Sequence, residues 1–242
     1  MKIIFNTIPG AHKPQSDDRV LVGSTVYAGT FQECELTEGF VAVADGVGGN
    51  TGAAAAAAFV CGQAAALAQP TPEDFQEINA QLVRQSDDKR ATTFSGLFFQ
   101  EAGITLFQVG NTRVYELLGG KYLKQVTHDD TVVQRLLDTQ KLTEEESRSY
   151  TGRNEITACF GGGSESYLKL QEKNLKQTEG NGWLLTSDGI HEYISLDEIE
   201  DVFSENQGNW NQAVHRITEL ALQNGSRDDC SIVLIVPERK EA

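Results

Sequence analysis

Apolar positions in this chain recur with two different periods, and the switches between them outline its elements. Residues 94–99, 104–109, 113–118 and 122–126 form short β-rich runs separated by Glu101-Ala102-Gly103, Gly110-Asn111-Thr112 and Gly119-Gly120. That rhythm predicts an antiparallel meander with tight turns. Three further apolar runs, at 40–44, 183–186 and 232–236, read as strands, and the N-terminal residues 1–5 are strand-like too. Helical spacing takes over elsewhere. The alanine-rich stretch 52–68 predicts a buried helix, because alanine has the best helix propensity and lets backbones approach closely. Pro70 and Pro72 break it, and Phe75, Ile78 and Leu82 mark a second helix over 73–86. Residues 131–142, 195–203 and 210–223 give three more, the second opened by Ser195 with Glu198 three residues on, the spacing of a capping box.

Strands and helices come in blocks rather than in strict alternation, which argues against a parallel βαβ sheet. The pattern fits an α+β fold, a layered sandwich with helices outside two antiparallel sheets. No internal repeat or long low-complexity linker divides it, so 242 residues read as one large domain, 1–242. Composition adds exclusions. No apolar run approaches the roughly 18–20 residues of a membrane span. The N-terminus has no signal-peptide layout, and a cytoplasmic protein is expected. The net charge of −15, from 35 acidic and 20 basic residues, would repel nucleic acid and anionic lipid, whose binding needs clustered Lys and Arg. Cys34, Cys61, Cys159 and Cys230 form no CxxC pair and have no histidine at zinc spacing. Three of them lie in apolar or small-residue surroundings and read as buried free thiols.

Candidate chemistry gathers where apolar runs end. Run 40–44 leads into Asp45-Gly46-Val47-Gly48-Gly49, and run 183–186 into Ser187-Asp188-Gly189. Run 232–236 follows Arg227-Asp228-Asp229, and Asp17-Asp18 precedes the apolar residues 20–22. One Asp-Gly after a strand is ordinarily a turn. Four acidic strand ends are another matter, because carboxylates brought together repel and a shared cation relieves them. Oxygen donors without His or Cys select hard ions, Mg²⁺ or Mn²⁺. Two such ions about 3.5–4 Å apart activate water for in-line attack on a phosphoryl group. Neither a GxSxG elbow nor a Cys-His pair is present, and the glycines at 46–52 lack the lysine and spacing of a P-loop.

These residues resemble the type 2C (PPM-type) metal-dependent protein phosphatases. Asp45-Gly46-Val47-Gly48-Gly49 is similar to that family's DGxGG, Gly110-Asn111-Thr112-Arg113-Val114-Tyr115 to its GDSRxY, and Val126-Thr127-His128-Asp129-Asp130-Thr131 to its LTxDH/DDS segment. Arg153-Asn154-Glu155-Ile156-Thr157-Ala158 resembles RNxLTRA, Thr186-Ser187-Asp188-Gly189-Ile190 resembles SDGL, and Ser226-Arg227-Asp228-Asp229-Cys230-Ser231 resembles xxDNxT. The six occur in the family's order and span nearly the whole chain. The resemblance implies a four-layer αββα sandwich with two metal ions in the cleft between its sheets. Asp45, Asp188 and Asp228 would hold one ion. Asp45 and the Gly46 carbonyl would bridge to the second, and Asp18 would organise water. It implies hydrolysis of phosphoserine and phosphothreonine in proteins, the targets of a Ser/Thr kinase, by a monomer without nucleic-acid or membrane partners. Residues 129–165 would form a flap beside the cleft.

The chain departs from the family pattern in places. The opening RxxNED reads Lys13-Pro14-Gln15-Ser16-Asp17-Asp18, so Lys13 stands where an arginine clamps phosphate and loses the bidentate fork. Asp17 replaces a glutamate and is one methylene shorter, so ligation through water is expected of it. Asn111 stands where an aspartate helps bind a third ion in many bacterial members, and a neutral donor weakens that site. Asp229 replaces asparagine and adds negative charge near the first ion. His12 is a candidate general acid or phosphate contact, though a lone histidine is more often an ordinary surface residue. His191 has a possible supporting role after Ser187-Asp188-Gly189, His128 fits a turn, and His215 reads as structural. The competing readings are a catalytically silent pseudophosphatase serving as a binding module and a hydrolase of small phosphate esters.

Overall fold

The computed structural model describes residues 1–11, 13–48, 52–85, 90–147 and 149–237. The chain begins with strands β1 (Lys2–Ile8), β2 (Arg19–Val22), β3 (Thr25–Tyr27), β4 (Phe31–Glu35) and β5 (Gly39–Ala44). Helices α1 (Ala53–Ala65) and α2 (Pro72–Gln85) lead to β6 (Ala91–Thr92), β7 (Phe94–Gln100), β8 (Gly103–Val109), β9 (Arg113–Leu118) and β10 (Tyr122–Gln125). Then come α3 (Val132–Asp138), α4 (Glu144–Ser147), β11 (Phe160–Gly161), β12 (Gln171–Leu175) and β13 (Gly182–Thr186). A single helical turn α5 (Asp188–His191), helices α6 (Leu196–Glu205) and α7 (Trp210–Gln223), and strand β14 (Cys230–Val236) complete the order. His12 and Gly49, both named from the sequence, lie outside the described residues.

Two six-stranded antiparallel sheets face each other, with strand orders β10-β9-β13-β14-β1-β4 and β12-β8-β7-β5-β2-β3. The alternation of side chains along a strand explains the layers. In β14, Val233 and Ile235 pack between the sheets with Ile3, Phe5, Val41, Val43 and Trp183, whereas Ile232 and Leu234 face α5, α6 and α7. In β5, Ala42 and Ala44 face the other way, onto Ala56, Val60 and Phe75 of α1 and α2. Central strands are therefore buried on both faces, which is why they read as unbroken apolar runs. The four-layer α+β sandwich of two antiparallel sheets flanked by helices is the observed architecture.

Several local expectations hold in detail. Helix α6 carries a reciprocal capping box, with Glu198 N donating to Ser195 Oγ and Ser195 N to Glu198 Oε2 at 2.9 Å. Helix α1 presents Ala53, Ala56, Ala57, Val60, Cys61 and Ala64 to the core. Cys61, Cys159 and Cys230 are buried free thiols. Two expectations change. The helix predicted over 131–142 stops at Asp138, and Gln140 adopts a left-handed backbone with φ 55°. The predicted four-strand meander is two hairpins in different sheets, since β7 pairs with β8 but β9 pairs with β10 and β13. Strand periodicity reports burial and not sheet membership, so it does not reveal that the chain changes sheets at Gly110-Asn111-Thr112. Gly110 permits the crossing: its φ is 96°, and a Cβ there would lie 2.6 Å from Thr93 Cγ2.

Candidate functional site

Strand register brings the acidic strand ends together. Arg19 pairs with Ala44 between β2 and β5, so the residues beyond them, Asp18 and Asp45, emerge side by side from one sheet. In the other sheet Thr186 pairs with Ile232 and Ile8 with Cys230, so Asp188, Asp228 and the loop after β1 share an end. The crossover between sheets delivers Asn111 to the same place. The result is a cleft of about 320 Å³ lined by Lys13, Asp45, Gly46, Asn111, Asp188 and Asp228, with Thr93, Asn154 and Ile156 completing its walls. Of the residues singled out from the sequence, Lys13, Asp45, Gly46, Asp188 and Asp228 line this cleft, and Asp18 lies fully buried behind it. Asp17 is not on its surface but hydrogen-bonds to Lys13.

The electrostatics are dominated by crowded carboxylates. Burial, then the charges of Asp188, Asp18 and Asp228, raise the Asp45 pKa well above the carboxylate range. Burial and the Asp228 charge raise Asp188, partly offset by the Asn111 amide, whose Nδ2 donates to Asp188 Oδ2 at 3.1 Å. Asp18 is pushed up to about 8, first by burial, with the Ser231 and Ser187 hydroxyls opposing and Asp229 and Asp188 reinforcing the rise. Neither Asp18 carboxylate oxygen is engaged in a hydrogen bond, because the nearby Ser187 and Ser231 hydroxyls donate to Asp229 O and Thr7 Oγ1, an expensive arrangement for a buried acid. Asp228 differs, its side chain being about half exposed at 53%.

Among the described residues no group of three Asp, Glu, His or Cys side chains is already closed around a point where an ion would sit. The fit to a cation rests on donor chemistry instead. The groups lining the cleft that could ligate a cation are all oxygen donors, their carboxylates repel one another, and one buried acid is unpartnered, so hard divalent ions match the set.

Asp229 is the residue whose role the sequence reading missed. Its side chain is only 2% exposed. It accepts from Gly10 N at 2.7 Å, Asp17 N at 2.7 Å and Lys13 Nζ at 2.9 Å. Lys13 also reaches Asp17 at 3.2 Å and Asp228 at 3.3 Å. Burial works against its charge, but Asp229, Asp228 and Asp17 outweigh it and hold the ammonium above the usual lysine range. A buried carboxylate directly before an apolar strand is invisible to periodicity, and only the doubled Asp228-Asp229 hinted at it.

The segment 129–165 borders the cleft through Asn154 and Ile156. Both of its ends are tied down. Asp130 N donates to Gly110 O at 2.9 Å, Asp130 Oδ2 accepts from Gly110 N at 3.0 Å, and Phe160 is buried in the core through pairing with Thr92. Arg113 grips Asp129 with Nε and Nη2 at 2.9 and 2.7 Å, and Arg153 pairs with Glu192 at 3.3 Å. His191 is buried with Nδ1 2.9 Å from Thr186 Oγ1, and burial, then Arg113, holds its pKa well below the usual value. It is a neutral support for the strand end that carries Asp188. His128 is exposed and pairs with Asp138, while His215 stacks on Phe31 at 4.1 Å.

Comparison with known proteins bears on the same frame. No protein-family model matches the chain. It is 29% identical over 209 residues to the serine/threonine protein phosphatase PstP of Mycobacterium tuberculosis, which covers 80% of this chain and 39% of that protein. The chain thus spans about two fifths of that relative's length. The crystal structure of PstP superposes with a TM-score of 0.81 at 24% identity, covering 99% of this chain and 100% of that one. The PstP catalytic domain in complex with two manganese ions gives 0.75 at 24% identity over 98% and 99% of the two chains. The PPM Ser-Thr phosphatase MsPP of Mycobacterium smegmatis, in complex with cacodylate, gives 0.78 at 21% identity over 98% of each.

Proposed function

From a chain that shares the fold of the bacterial PPM-type Ser/Thr phosphatases and is related to them in sequence, we propose a metal-dependent protein phosphatase acting on phosphoserine and phosphothreonine. The observation that carries this reading is the convergence of Asp45, Asp188 and Asp228 on one open cleft, backed by the buried, unpartnered Asp18. Asp45, the Gly46 carbonyl, Asp188 and Asp228 would hold two Mn²⁺ or Mg²⁺ ions. Bound there, the ions supply Lewis-acid activation of water and neutralise phosphoryl charge.

The chain's own residues do the rest. The Asn111 amide holds one carboxylate oxygen of Asp188 at the cleft. Asp18, kept from strong partners, is suited to hold a water at a carboxylate oxygen. Asp17, held by Lys13, sits one layer out and supports a ligand role only through water. Asn154 and Ile156 place the flap-like segment 129–165 against the substrate, and the open cleft admits a phosphorylated side chain still attached to a protein. The expected partners are cytoplasmic phosphoproteins made by a Ser/Thr kinase, and the enzyme is expected to act as a monomer.

The test is hydrolysis of p-nitrophenyl phosphate and of a phosphothreonine peptide with Mn²⁺, with Mg²⁺ and with excess EDTA. Turnover that needs metal and disappears in Asp45→Ala is the expected result. Folded protein that turns over neither substrate with either ion overturns the reading in favour of a silent binding module.

A further inference from the structure

The Lys13 ammonium has three N–H directions to offer, and three carboxylates already take them: Asp229 at 2.9 Å, Asp17 at 3.2 Å and Asp228 at 3.3 Å. The three contacts differ in kind. Asp228 is half exposed and can exchange the lysine for another cation at little cost, whereas Asp229 is enclosed, with 2% of its side chain reaching solvent. Withdrawing the ammonium from Asp229 would leave a buried charge without its counter-charge, which is among the costlier changes a folded protein can suffer. The lysine is therefore committed to Asp229.

Asp229 in turn organises backbone. Its two oxygens take Gly10 N and Asp17 N, the two ends of the loop between β1 and β2. That loop lies directly on the strand end bearing Asp228, since a Cβ on Gly10 would meet the Asp228 carbonyl carbon at 2.8 Å. The residue following Asp17 is Asp18, fully buried and electrostatically in contact with Asp45. One ion pair, made by residues 216 positions apart, thus joins the loop that presents Asp18 to the turn that presents Asp228.

We propose that Lys13 is a positioning residue and not a phosphate ligand: with the buried carboxylate of Asp229 it forms a latch that ties down Gly10 and Asp17 and so sets Asp18 and Asp228 at the cleft. The kinetic part of the proposal rests on the phosphatase reading; the latch itself does not. Substrate phosphate is then held without help from this lysine, and the lysine acts on the reaction through Asp229.

The experiment compares Lys13→Gln, Asp229→Asn and the double variant in the Mn²⁺-loaded protein of residues 1–242. Thermal melts come first. Each single change should lower Tm by roughly 6–20 °C, and the double variant should lose clearly less than the sum. Additive losses would show that the two side chains do not act as a pair and would overturn the latch. Kinetics on a phosphothreonine peptide then separate the roles. Lys13→Gln should lower kcat about 10- to 100-fold through misplaced groups, with KM and the inhibition constant of inorganic phosphate within about twofold of wild type. A tenfold rise in both constants at unchanged kcat would make Lys13 a phosphate ligand and sink the proposal. Wild-type protein without turnover would remove the phosphatase reading, and the melts alone would then decide whether the latch exists.

Discussion

Two glycine-to-alanine changes, identical in chemistry, should move stability in opposite directions. Gly189 follows Asp188 in the first turn of α5, and a Cβ there would run into the backbone carbonyl oxygen of Asp229, with the carbonyl carbon at 2.9 Å and Cys230 Sγ at 3.4 Å. No flexible side chain is available to yield, so backbone must move. Overpacking of this kind costs about 1–3 kcal/mol. For a domain of this size each kcal/mol shifts Tm by about 2–4 °C, so Gly189→Ala should lower Tm by roughly 2–12 °C. The displaced residue is Asp229, and the shift carries Asp228 and the loop 10–17 with it. Turnover should therefore fall further than stability alone explains. Gly62 is the control. It lies on the exposed face of α1, and a Cβ there meets nothing within 4 Å. Alanine in a helix interior is favoured over glycine by roughly 0.5–1 kcal/mol, a gain of about 1–4 °C. Thermal and urea unfolding, with the urea slope checked for constancy, measure both. A Gly189→Ala protein melting within about 1 °C of wild type, or a destabilised Gly62→Ala, would refute the steric account.

Further predictions concern charge and metal. Asp188→Asn should cut turnover roughly 10²–10³-fold while leaving Tm unchanged or higher, because the lost charge faces Asp228 and Asp45; near-normal activity would remove Asp188 from the ligand set. Mn²⁺ or Mg²⁺ at a hundredfold excess over its Kd should stabilise the fold by about 2.7 kcal/mol, or roughly 5–11 °C, reversibly with EDTA, and no shift with either ion would count against a metal centre whatever the activity. In EDTA, stability should depend on Asp18 with a definite sign. Its folded pKa of about 8 lies above the unfolded value, so the neutral acid is favoured in the fold; its contribution is fully present below about pH 4 and is lost as pH rises towards 8. The stability of Asp18→Asn relative to wild type should accordingly grow between pH 5 and pH 8, by at most about 1.4 kcal/mol per pH unit, and a gap that stays constant would refute the assignment.

What the sequence disclosed of the fold follows from burial. Strands β5, β13 and β14 are buried on both faces and stand out as apolar runs. Besides the two-residue β6 and β11, the strands that escaped reading, β3, β4 and β12, all sit at sheet edges. Phe31–Glu35 carries Gln32, Glu33 and Glu35, and Gln171–Leu175 carries Glu172 and Lys173, so each offers little alternation to detect. Polar and charged residues suit an edge, where they discourage pairing with other chains, and that same choice hides the strand. The longer helices announced themselves through local chemistry, as in the Ser195 capping box, whereas the four-residue α4 and α5 were too short to carry a period.

The site divides along a similar line. Aspartates at strand ends were legible because a carboxylate after an apolar run is conspicuous; which ends meet depends on register, fixed here by pairings such as Arg19 with Ala44 that no local pattern encodes. The more instructive case is the pair of departures from the family's motifs. Read singly, Lys13 is a weakened phosphate clamp and Asp229 a surplus negative charge near an ion. In the fold they stand 2.9 Å apart, so the charge that seemed to burden the cleft is neutralised by the residue that seemed to serve it. A lysine spent on that carboxylate is not also available to phosphate. On the phosphatase reading, retention of substrate and product would rest on the proposed ions and the cleft walls, and inorganic phosphate should inhibit through those ions and not through Lys13. Substitutions at the two ends of a chain are thus one change physically, and their effects are to be weighed as a pair.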